Sequence, residues 1–303
     1  MLFTALKPMI VGMGKEAFDD EDWVFEPKYD GWRILLHKQG ERLEAYTRYG
    51  SVVTDKFPEL REAVSSIRAQ EAILDCEGIC LRGGRPVFDD FAFRGRLSHS
   101  ASIARAVKTH PATFVVFDAL YTDRDLAHEP LTERKKRLDA IVADSAALTK
   151  TMVVDGQGKA LFALTGQTGM EGIVAKRKRS LYRFGTVTAD WLKIKHFKTI
   201  DAIVLGYRTE PHFALALGLH FRTVRYKPVG TVEFGFKPEE KQAFLTLAQR
   251  LHRERDKKTQ WIEPRLCCRI DYLERTDTHQ LRTTVFRGFL PDKNPDDCNW
   301  SYD

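Results

Sequence analysis

Short runs of aromatic, leucine and β-branched residues recur through the first two thirds of the chain. Examples are WVFEPKYD, RILLHKQ, RLEAYTR and TFVVFDALY. Such runs, bounded by polar and turn residues, predict β-strands. Between them, FPELREAVSSIRAQ and LTERKKRLDAIVADSAAL repeat their apolar residues at helical spacing. Because strands and helices do not alternate strictly, this order favours an α+β domain of antiparallel sheets over a doubly wound fold.

The pattern changes after Lys198. Short strands with glycine and proline between them, such as DAIVLGYR and GTVEFGF, surround one helical segment near PEEKQAFLTLAQRLHRER. About five strands and one inserted helix favour a small Greek-key barrel, of which the OB fold is the commonest kind; a small β-sandwich is the alternative. We therefore predict two domains, at residues 1–197 and 198–303. The joint is expected to be a short hinge, because no Gly/Ser-rich linker separates them.

Composition narrows the class of protein. With 43% hydrophobic and 30% charged residues and no low-complexity tract, the chain is predicted to be globular. The N-terminal MLFTALKPMI lacks a signal-peptide pattern, and no apolar run approaches the roughly 20 residues of a membrane span. We expect a cytoplasmic protein with no membrane partner.

One basic stretch is more informative than the net charge of +6. Residues 176–198 contain eight lysines and arginines against one acid, Asp190, with aromatic residues among them. A solvated face explains many such stretches, but this composition also fits a surface that binds nucleic acid.

The string with the clearest chemistry is Lys28-Tyr29-Asp30-Gly31-Trp32-Arg33, at the end of an apolar strand. Taken alone, it could be a surface turn built on Asp30-Gly31. A functional interpretation accounts for each part. Burial and cationic neighbours can lower the pKa of a lysine until it acts as a nucleophile, glycine lets the backbone approach a phosphate, and arginine neutralises that phosphate.

This string resembles the K-x-D-G-x-R signature of covalent nucleotidyltransferases, the superfamily of DNA ligases, RNA ligases and mRNA capping enzymes. Further segments resemble the other motifs of that superfamily, in the same order: Arg48-Tyr49-Gly50, Leu74-Asp75-Cys76-Glu77-Gly78, Phe114-Val115-Val116-Phe117-Asp118, Glu171-Gly172-Ile173-Val174-Ala175-Lys176 and Trp191-Leu192-Lys193-Ile194-Lys195. By this resemblance, Arg48 meets the nick phosphate, Glu77 holds the ribose and Phe117 stacks on the purine.

Charged residues in these motifs fit phosphoryl transfer. Glu77 and Glu171 are carboxylates expected to bind magnesium or ribose, although each could instead be a half-buried ion-pair partner. Lys193 and Lys195 alternate along a predicted strand, so both face the same side. Two ammonium groups there can neutralise the α-phosphate and lower the pKa of a nearby lysine.

The C-terminal segment 281–293 resembles the sixth motif of bacterial ATP-dependent ligases associated with end joining. In the family this motif orients the pyrophosphate leaving group. An arginine usually stands two residues before the Asp-Lys pair, whereas this chain has Leu290 there, and the nearest arginine is Arg287. The resemblance therefore assigns the pyrophosphate contact to Arg287, with Asp292 and Lys293.

The resemblance as a whole implies a minimal bacterial or phage type of ATP-dependent DNA ligase. Its fold would be a nucleotidyltransferase domain with ATP-grasp-like antiparallel sheets, followed by an OB-fold β-barrel. Lys28 would form a lysyl-AMP, which passes to the 5′-phosphate of a nick before the 3′-hydroxyl displaces AMP. The implied site residues are Lys28, Asp30, Lys193 and Lys195 for catalysis; Glu26, Arg33, Arg48, Glu77, Phe117, Lys176 and Arg287 for ATP binding; and Glu77 and Glu171 for metal binding.

The resemblance also implies cofactors and partners. ATP and Mg²⁺ are expected, with Mn²⁺ able to substitute, and nicked double-stranded DNA is the expected partner. We further expect a nucleoid-associated monomer, with a Ku-like end-binding protein as one recruiting option. Two alternatives stay open: an RNA ligase or GTP-using capping-type enzyme with the same lysine motif, and a nucleic-acid-binding module without catalysis. Retention of the motif lysines and glutamates argues against the second.

Overall fold

The computed structural model describes residues 1–302, and their contacts divide the chain into two compact units. The first unit is Met1–Lys195, and the second begins at His196. Both contain sheets and helices, so the predicted α+β class is confirmed. None of the described helices is long and apolar enough to cross a membrane.

Two sheets and five helices form the first unit. Its strands are β1 (Ile10–Met13), β2 (Asp19–Lys28), β3 (Trp32–Gln39), β4 (Arg42–Thr47), β5 (Glu71–Arg82), β6 (Arg85–Pro86), β7 (Ala112–Tyr121), β8 (Leu148–Lys150), β9 (Val154–Gln157), β10 (Gly172–Arg177) and β11 (Val187–Lys195). Its helices are α1 (Leu60–Ser66), α2 (Phe88–Arg96), α3 (Ser100–Thr109), α4 (Leu131–Ile141) and α5 (Gly158–Gln167), with a 3₁₀ helix at Thr54–Lys56. The strand order is β1-β11-β10-β2-β9 in one sheet and β4-β3-β5-β7-β8 in the other, where β6 also pairs with β5.

The two sheets of the first unit share a hydrophobic cluster and a connecting turn. Val24 of β2 and Leu35 of β3 belong to the same buried cluster. The chain passes from one sheet to the other between Lys28 and Trp32, at the predicted nucleophile string. Gly31 permits this crossing, because a Cβ there would lie 2.1 Å from the carbonyl oxygen of Gly78 on β5.

The second unit is a sheet with one inserted helix. Its elements are β12 (Lys198–Arg208), β13 (Ala214–Leu219), β14 (Lys227–Val232), α6 (Pro238–Ala248), β15 (His252–Arg255), β16 (Gln260–Ile262), β17 (Cys267–Tyr272), β18 (Glu274–Arg275), β19 (Leu281–Arg282) and β20 (Val285–Leu290), with 3₁₀ helices at Gln249–Leu251 and Pro295–Asp297. The strand order is β14-β13-β12-β16-β15; β17 pairs with β12 and β20, and β18 pairs with β19.

We expected a small OB-fold barrel in the second unit, and its hydrogen-bonded strand ladder does not close into a ring within residues 1–302. At the β14 end, Pro228 has no amide hydrogen to donate, which suits an edge strand. One backbone hydrogen bond, from the amide of Phe286 to the carbonyl of Phe234 at 2.8 Å, and two side chains make the contact to the later strands. Thr284 Oγ1 donates to the carbonyl of Thr231 at 2.6 Å, and Gln280 Nε2 donates to the carbonyl of Pro228 at 3.2 Å.

His37 of β3 is a fully buried histidine in the first unit. Its Nδ1 accepts a hydrogen bond from the amide of Phe3 at 2.9 Å, and its ring centroid lies 4.7 Å from that of Tyr46. Burial lowers the pKa of His37 to about 4, from an ordinary value of 6.5. Because the unfolded chain takes up this proton at a higher pH than the folded chain, acid favours unfolding.

We predict that His37 makes the free energy of unfolding fall as the pH drops from 6.5 to about 4, by up to about 1.4 kcal/mol per pH unit. His37→Asn keeps an oxygen that can accept from the Phe3 amide but cannot take up a proton. Its unfolding free energy should therefore depend less on pH in this range. Urea unfolding of both proteins from about pH 7 to about pH 4 measures the difference, and parallel pH profiles would contradict the prediction.

Candidate active site

Glu171 joins two lysines in the first unit. Its Oε2 accepts a hydrogen bond from Lys28 Nζ at 2.6 Å, and its Oε1 lies 2.7 Å from Lys195 Nζ. The Glu171 side chain is only 5% exposed. Burial would raise the pKa of Glu171, but the charges of Lys28 and Lys195 hold it below its ordinary value. Three predicted site residues thus meet in one buried ion-pair cluster.

Strand register brings these side chains together. Antiparallel pairing places Gly172 of β10 opposite Lys28 on one side and opposite Lys195 on the other. Gly172 has a φ of +149°, and a Cβ there would lie 2.0 Å from the carbonyl oxygen of Ile194. Any larger residue would push β10 away from β11. Glu171 therefore supplies the bridging carboxylate, and Gly172 allows the close strand approach that places this carboxylate between the two lysines.

The protonation of Lys28 differs from our expectation. Burial lowers the pKa of Lys28, but the negative charges of Glu171, Glu77 and Asp30 outweigh burial and raise it above its ordinary value. The expected lowering of this pKa is therefore wrong for this arrangement. The physical reason is that a carboxylate, not another lysine, lies against Nζ and stabilises the ammonium form.

Positive charge accumulates around Lys193. Burial lowers the pKa of Lys193, and the charges of Lys195 and Lys28 lower it further. The charge of Arg48 acts in the same direction, which places this exposed arginine within electrostatic range of the cluster. The guanidinium of Arg48 lies 4.6 Å from the ring centroid of Tyr49. Such a surplus of cations suits an anionic ligand.

Glu77 of β5 adds a second carboxylate from the other sheet. Burial raises the pKa of Glu77 to about 7, although the charges of Lys28 and Arg33 oppose this; the charge of Glu171 adds to the rise. No group of three or more His, Cys, Asp or Glu side chains that could hold a metal occurs within residues 1–302. The charge of Glu171 affects the pKa of Glu77, so these two carboxylates lie within electrostatic range of each other. Such a pair fits a Mg²⁺ ion that is bound to substrate phosphates, because these ions use only one or two protein carboxylates.

Arg33 binds protein groups. Its Nε and Nη2 donate to the two oxygens of Asp75 at 2.9 and 2.6 Å, and its Nη1 donates to the carbonyl of Met9 at 2.6 Å. The hydroxyl of Tyr182 also donates to Asp75, at 2.6 Å. The sequence analysis did not predict that Asp75 binds Arg33. Asp75 stands two residues before Glu77, on the same face of β5. This network braces the start of β3 behind the nucleophile turn.

Phe117, Lys176 and Glu26 form a second cluster. Lys176 Nζ lies 4.3 Å from the ring centroid of Phe117 and 4.1 Å from that of Trp191, and it donates to Glu26 Oε2 at 2.6 Å. The other oxygen of Glu26 contacts Lys135 of α4. Burial lowers the pKa of Lys176 to about 8. Lys135 had no sequence signal, because it lies among other charged residues of an ordinary surface helix.

Arg287 belongs to the second unit. Its Nε donates to Asp271 Oδ2 at 2.6 Å, and its side chain is 51% exposed. Leu290, which stands where the family motif has an arginine, packs against the hydrophobic core of this unit and pairs with Cys267 in the β17–β20 ladder. Core packing therefore accounts for leucine at this position.

Ion pairs neutralise part of the basic stretch 176–198. Arg177 Nε lies 3.2 Å from an oxygen of Asp190, and Lys178 Nζ lies 2.5 Å from an oxygen of Asp155. Arg179 is exposed and forms no ion pair with any residue in the described part of the chain. This stretch consequently offers fewer free charges than its composition indicated.

Family comparisons agree with the motifs. A family model described as the ATP dependent DNA ligase domain matches residues 8–195, and one described as the ATP dependent DNA ligase C terminal region matches residues 208–293. The chain belongs to the ATP-dependent DNA ligase family. It is 30% identical to the SPbeta prophage-derived DNA ligase-like protein LigB of Bacillus subtilis over 286 residues, which are 94% of this chain and 98% of that protein.

Two further ligase-family comparisons concern mycobacterial proteins. The multifunctional non-homologous end joining protein LigD of Mycobacterium bovis is 29% identical over 312 residues, which cover 97% of this chain but 39% of LigD. The chain thus spans about two fifths of that relative. The solved structure of mycobacterial DNA ligase D complexed with ATP and MES has 27% identity and a TM-score of 0.58, covering 98% of this chain and 99% of that one. This match confirms the nucleotidyltransferase and OB-fold assignment.

Because Gly172 sets the register of this ligase-family site, we predict that Gly172→Ala lowers the free energy of unfolding by more than about 2 kcal/mol. It should also reduce reaction with ATP, since β10 would no longer hold Glu171 between the two lysines. Gly83→Ala is the matched control, because Gly83 has a φ of +59° but nothing lies within 4 Å of its added Cβ. Urea unfolding compares the proteins, and a Gly172→Ala protein as stable as Gly83→Ala would refute the steric role.

Proposed function

We propose that this chain is a DNA ligase that seals nicks in duplex DNA through a lysyl-AMP intermediate formed from ATP. The observation that carries the proposal is the Lys28–Glu171–Lys195 cluster. In this cluster, the buried carboxylate of Glu171 holds Lys28, the candidate nucleophile, and also binds the motif lysine Lys195. A lysine held in this way, beside further cations, suits attack on an anionic phosphate.

In the first step, Lys28 Nζ bonds to the α-phosphorus of ATP while the bond from that phosphorus to the bridging oxygen breaks, and pyrophosphate leaves. Lys28 starts as an ammonium, so a proton must leave Nζ before it attacks. Glu171 Oε2, 2.6 Å away, is the nearest acceptor, and because the pKa of Glu171 is lowered the proton passes on to water. Lys193 and Lys195 then neutralise negative charge on the phosphoryl oxygens as it develops.

In the later steps, AMP passes from Lys28 to the 5′-phosphate of the nick, which frees the lysine and leaves an adenylated DNA end. The 3′-hydroxyl next bonds to that 5′-phosphorus, AMP leaves, and the strand is sealed. Arg48, exposed near the lysine cluster, is the residue we assign to the nick phosphate. Arg287 of the second unit, with Asp292 and Lys293, is assigned to the pyrophosphate of the first step.

The remaining motif residues would bind the nucleotide. Phe117 offers a ring for the purine, with Lys176 Nζ 4.3 Å from its centroid and Glu26 bound to that nitrogen. Glu77 would accept a hydrogen bond from the ribose. Glu77 and Glu171 would also hold the divalent ion, which is Mg²⁺ or, in its place, Mn²⁺. When bound, this ion supplies positive charge to the phosphates.

Partners and setting are proposed by analogy with the relatives. Nicked duplex DNA is the proposed substrate, bound by a monomer that associates with the nucleoid in the cytoplasm. Because LigD is named as an end-joining protein, a Ku-like end-binding protein is the recruiting partner that we propose. Residues 1–197 would be the adenylation domain and residues 198–303 the OB-fold domain.

Lys28→Ala tests the nucleophile. Wild-type protein mixed with α-labelled ATP and Mg²⁺ should acquire a label that is stable to alkali and labile to acid, as a phosphoramidate is. Lys28→Ala should acquire no label, because the attacking nitrogen is gone, yet it should still seal a nick that was adenylated beforehand. Lys38→Met, which removes a lysine bound to the carbonyl of Ala69, is the control and should label normally. Labelling of Lys28→Ala would overturn the assignment.

The choice of substrate separates this proposal from its alternatives. An RNA ligase would seal nicked RNA in preference to nicked DNA of the same sequence, and a capping-type enzyme would label with GTP in preference to ATP. A binding module without catalysis would label with neither nucleotide. We expect labelling by ATP and sealing of nicked DNA.

Glu171→Gln tests the bridging carboxylate. The substitution keeps the size of the side chain but removes the charge that holds Lys28 and Lys195, so we expect labelling by ATP to slow by on the order of 10² or more. Asp190→Asn is the control, because it removes a carboxylate from an exposed ion pair on the neighbouring strand β11. Rates of labelling give the comparison, with circular dichroism to verify folding. Equal rates for the two variants would show that Glu171 is only structural.

A further inference from the structure

A long segment of the first unit contains no carboxylate. The chain has 42 aspartates and glutamates in 303 residues, yet none stands between Asp90 and Asp118. The same segment holds four lysines and arginines: Arg94, Arg96, Arg105 and Lys108. It includes the end of α2, all of α3 and most of β7.

Three of these four cations are free at the surface. Arg94 is fully buried and donates to both oxygens of Glu59, at 2.7 and 2.9 Å. Arg96, Arg105 and Lys108 are exposed, and none of them forms an ion pair within residues 1–302. Buried Arg94 therefore serves the fold, whereas the charges of the other three are available to a ligand.

The exposed side of α3 is shaped for close approach. Ile103 and Ala106 are buried and fix the helix to the unit. The opposite stripe, at helical spacing, consists of Ala101, Ala104, Arg105 and Lys108, all of them exposed. Arg105 and Lys108 thus lie on a helix face whose other exposed residues, Ala101 and Ala104, are small. These small side chains leave room for a sugar-phosphate backbone to lie against the helix.

The helix α2 that precedes this face packs against Trp32 of the nucleophile string and against Gly78, which contacts Gly31 of that string. Phe91 of α2 packs against Gly78, where an added Cβ would lie 2.2 Å from its ring. Gly95 of α2 packs in the same way against Trp32, with 2.4 Å to its ring. Lys56 Nζ donates to the carbonyl of Leu97 at 2.8 Å and so fixes the turn between α2 and α3. The free cations therefore sit on a firmly held support.

The next helix along the chain, α4, shows the opposite arrangement. On α4, Lys136 lies 2.8 Å from Glu133, and Arg137 lies 2.6 Å from Asp123. Those charges compensate each other, as expected for a face that only meets solvent. The lack of compensation on α3 is thus not a general property of the helices of this unit.

We propose that Arg105 and Lys108 of α3, here called the α3 surface, bind the phosphodiester backbone of duplex DNA. This inference rests on the proposed function and adds a DNA contact outside the basic stretch 176–198. Duplex DNA is the occupant that fits, because it presents closely spaced phosphates that attract unpaired lysines and arginines without requiring any base contact.

The double substitution Arg105→Gln and Lys108→Gln tests the proposal. Each phosphate contact contributes about 0.9 to the slope of log affinity against log salt for duplex DNA. Binding of a nicked duplex, measured by fluorescence anisotropy over a series of salt concentrations, should therefore lose between about one and two units of slope. Labelling by ATP should stay within about twofold of wild type, since neither residue is in the proposed catalytic machinery.

The matched control is Lys136→Gln with Arg137→Gln on α4, which changes the net charge by the same amount. Its salt slope should equal that of wild type. Equal slopes for the α3 variant and wild type, or equal flattening by the α3 and α4 variants, would overturn the α3 surface. If wild-type protein labels with ATP in those cases, the proposed function still holds. Wild-type protein that neither labels nor binds nicked DNA would overturn both.

Discussion

Burial of one carboxylate between two ammonium groups is the constraint on which the first unit depends. A buried charge that loses its partner costs several kcal/mol, so Lys28, Glu171 and Lys195 are stable only together. The three residues come from or adjoin three neighbouring strands, and Lys28 and Glu171 are 143 positions apart in the chain. Correct register at Gly172 is what unites them. Assembly of the sheet and assembly of the candidate site are therefore the same event.

The turn after Lys28 connects the buried Lys28–Glu171–Lys195 cluster to the second sheet. Because Gly31 lets the backbone pass against Gly78, β3 pairs with β5 and brings Glu77 within electrostatic range of Lys28. Asp75, two residues earlier on β5, holds Arg33 on β3. One crossing between sheets thus places Glu77 near the candidate nucleophile and Arg33 opposite Glu77 in the β3–β5 ladder.

Local sequence was enough to predict the strands and the α+β class, and the resemblance to the superfamily motifs identified the residues that cluster around Lys28. It was not enough for properties that arise between distant segments. Nothing near Lys28 in sequence indicates that Glu171 lies against its Nζ, so the predicted direction of its pKa shift was wrong. Lys135 was missed for the same reason. In the second unit, strand content was predicted, but closure of the ladder depends on how the edge at Pro228 is satisfied, which composition does not reveal.

The charge that a surface presents also depends on contacts formed in the fold, and not on composition alone. Residues 176–198 have the denser run of cations, yet folding places Asp155 and Asp190 against two of them. Residues 91–117 have fewer cations, but no acid within the segment, and within residues 1–302 buried Arg94 is the one lysine or arginine of the segment that pairs with an acid. A surface attracts phosphates through charge that remains uncompensated after folding, because paired charges largely cancel beyond their own contact distance. Residues 91–117 keep three exposed cations without an ion pair in the described part of the chain, so this sparser segment can also attract the phosphates of DNA.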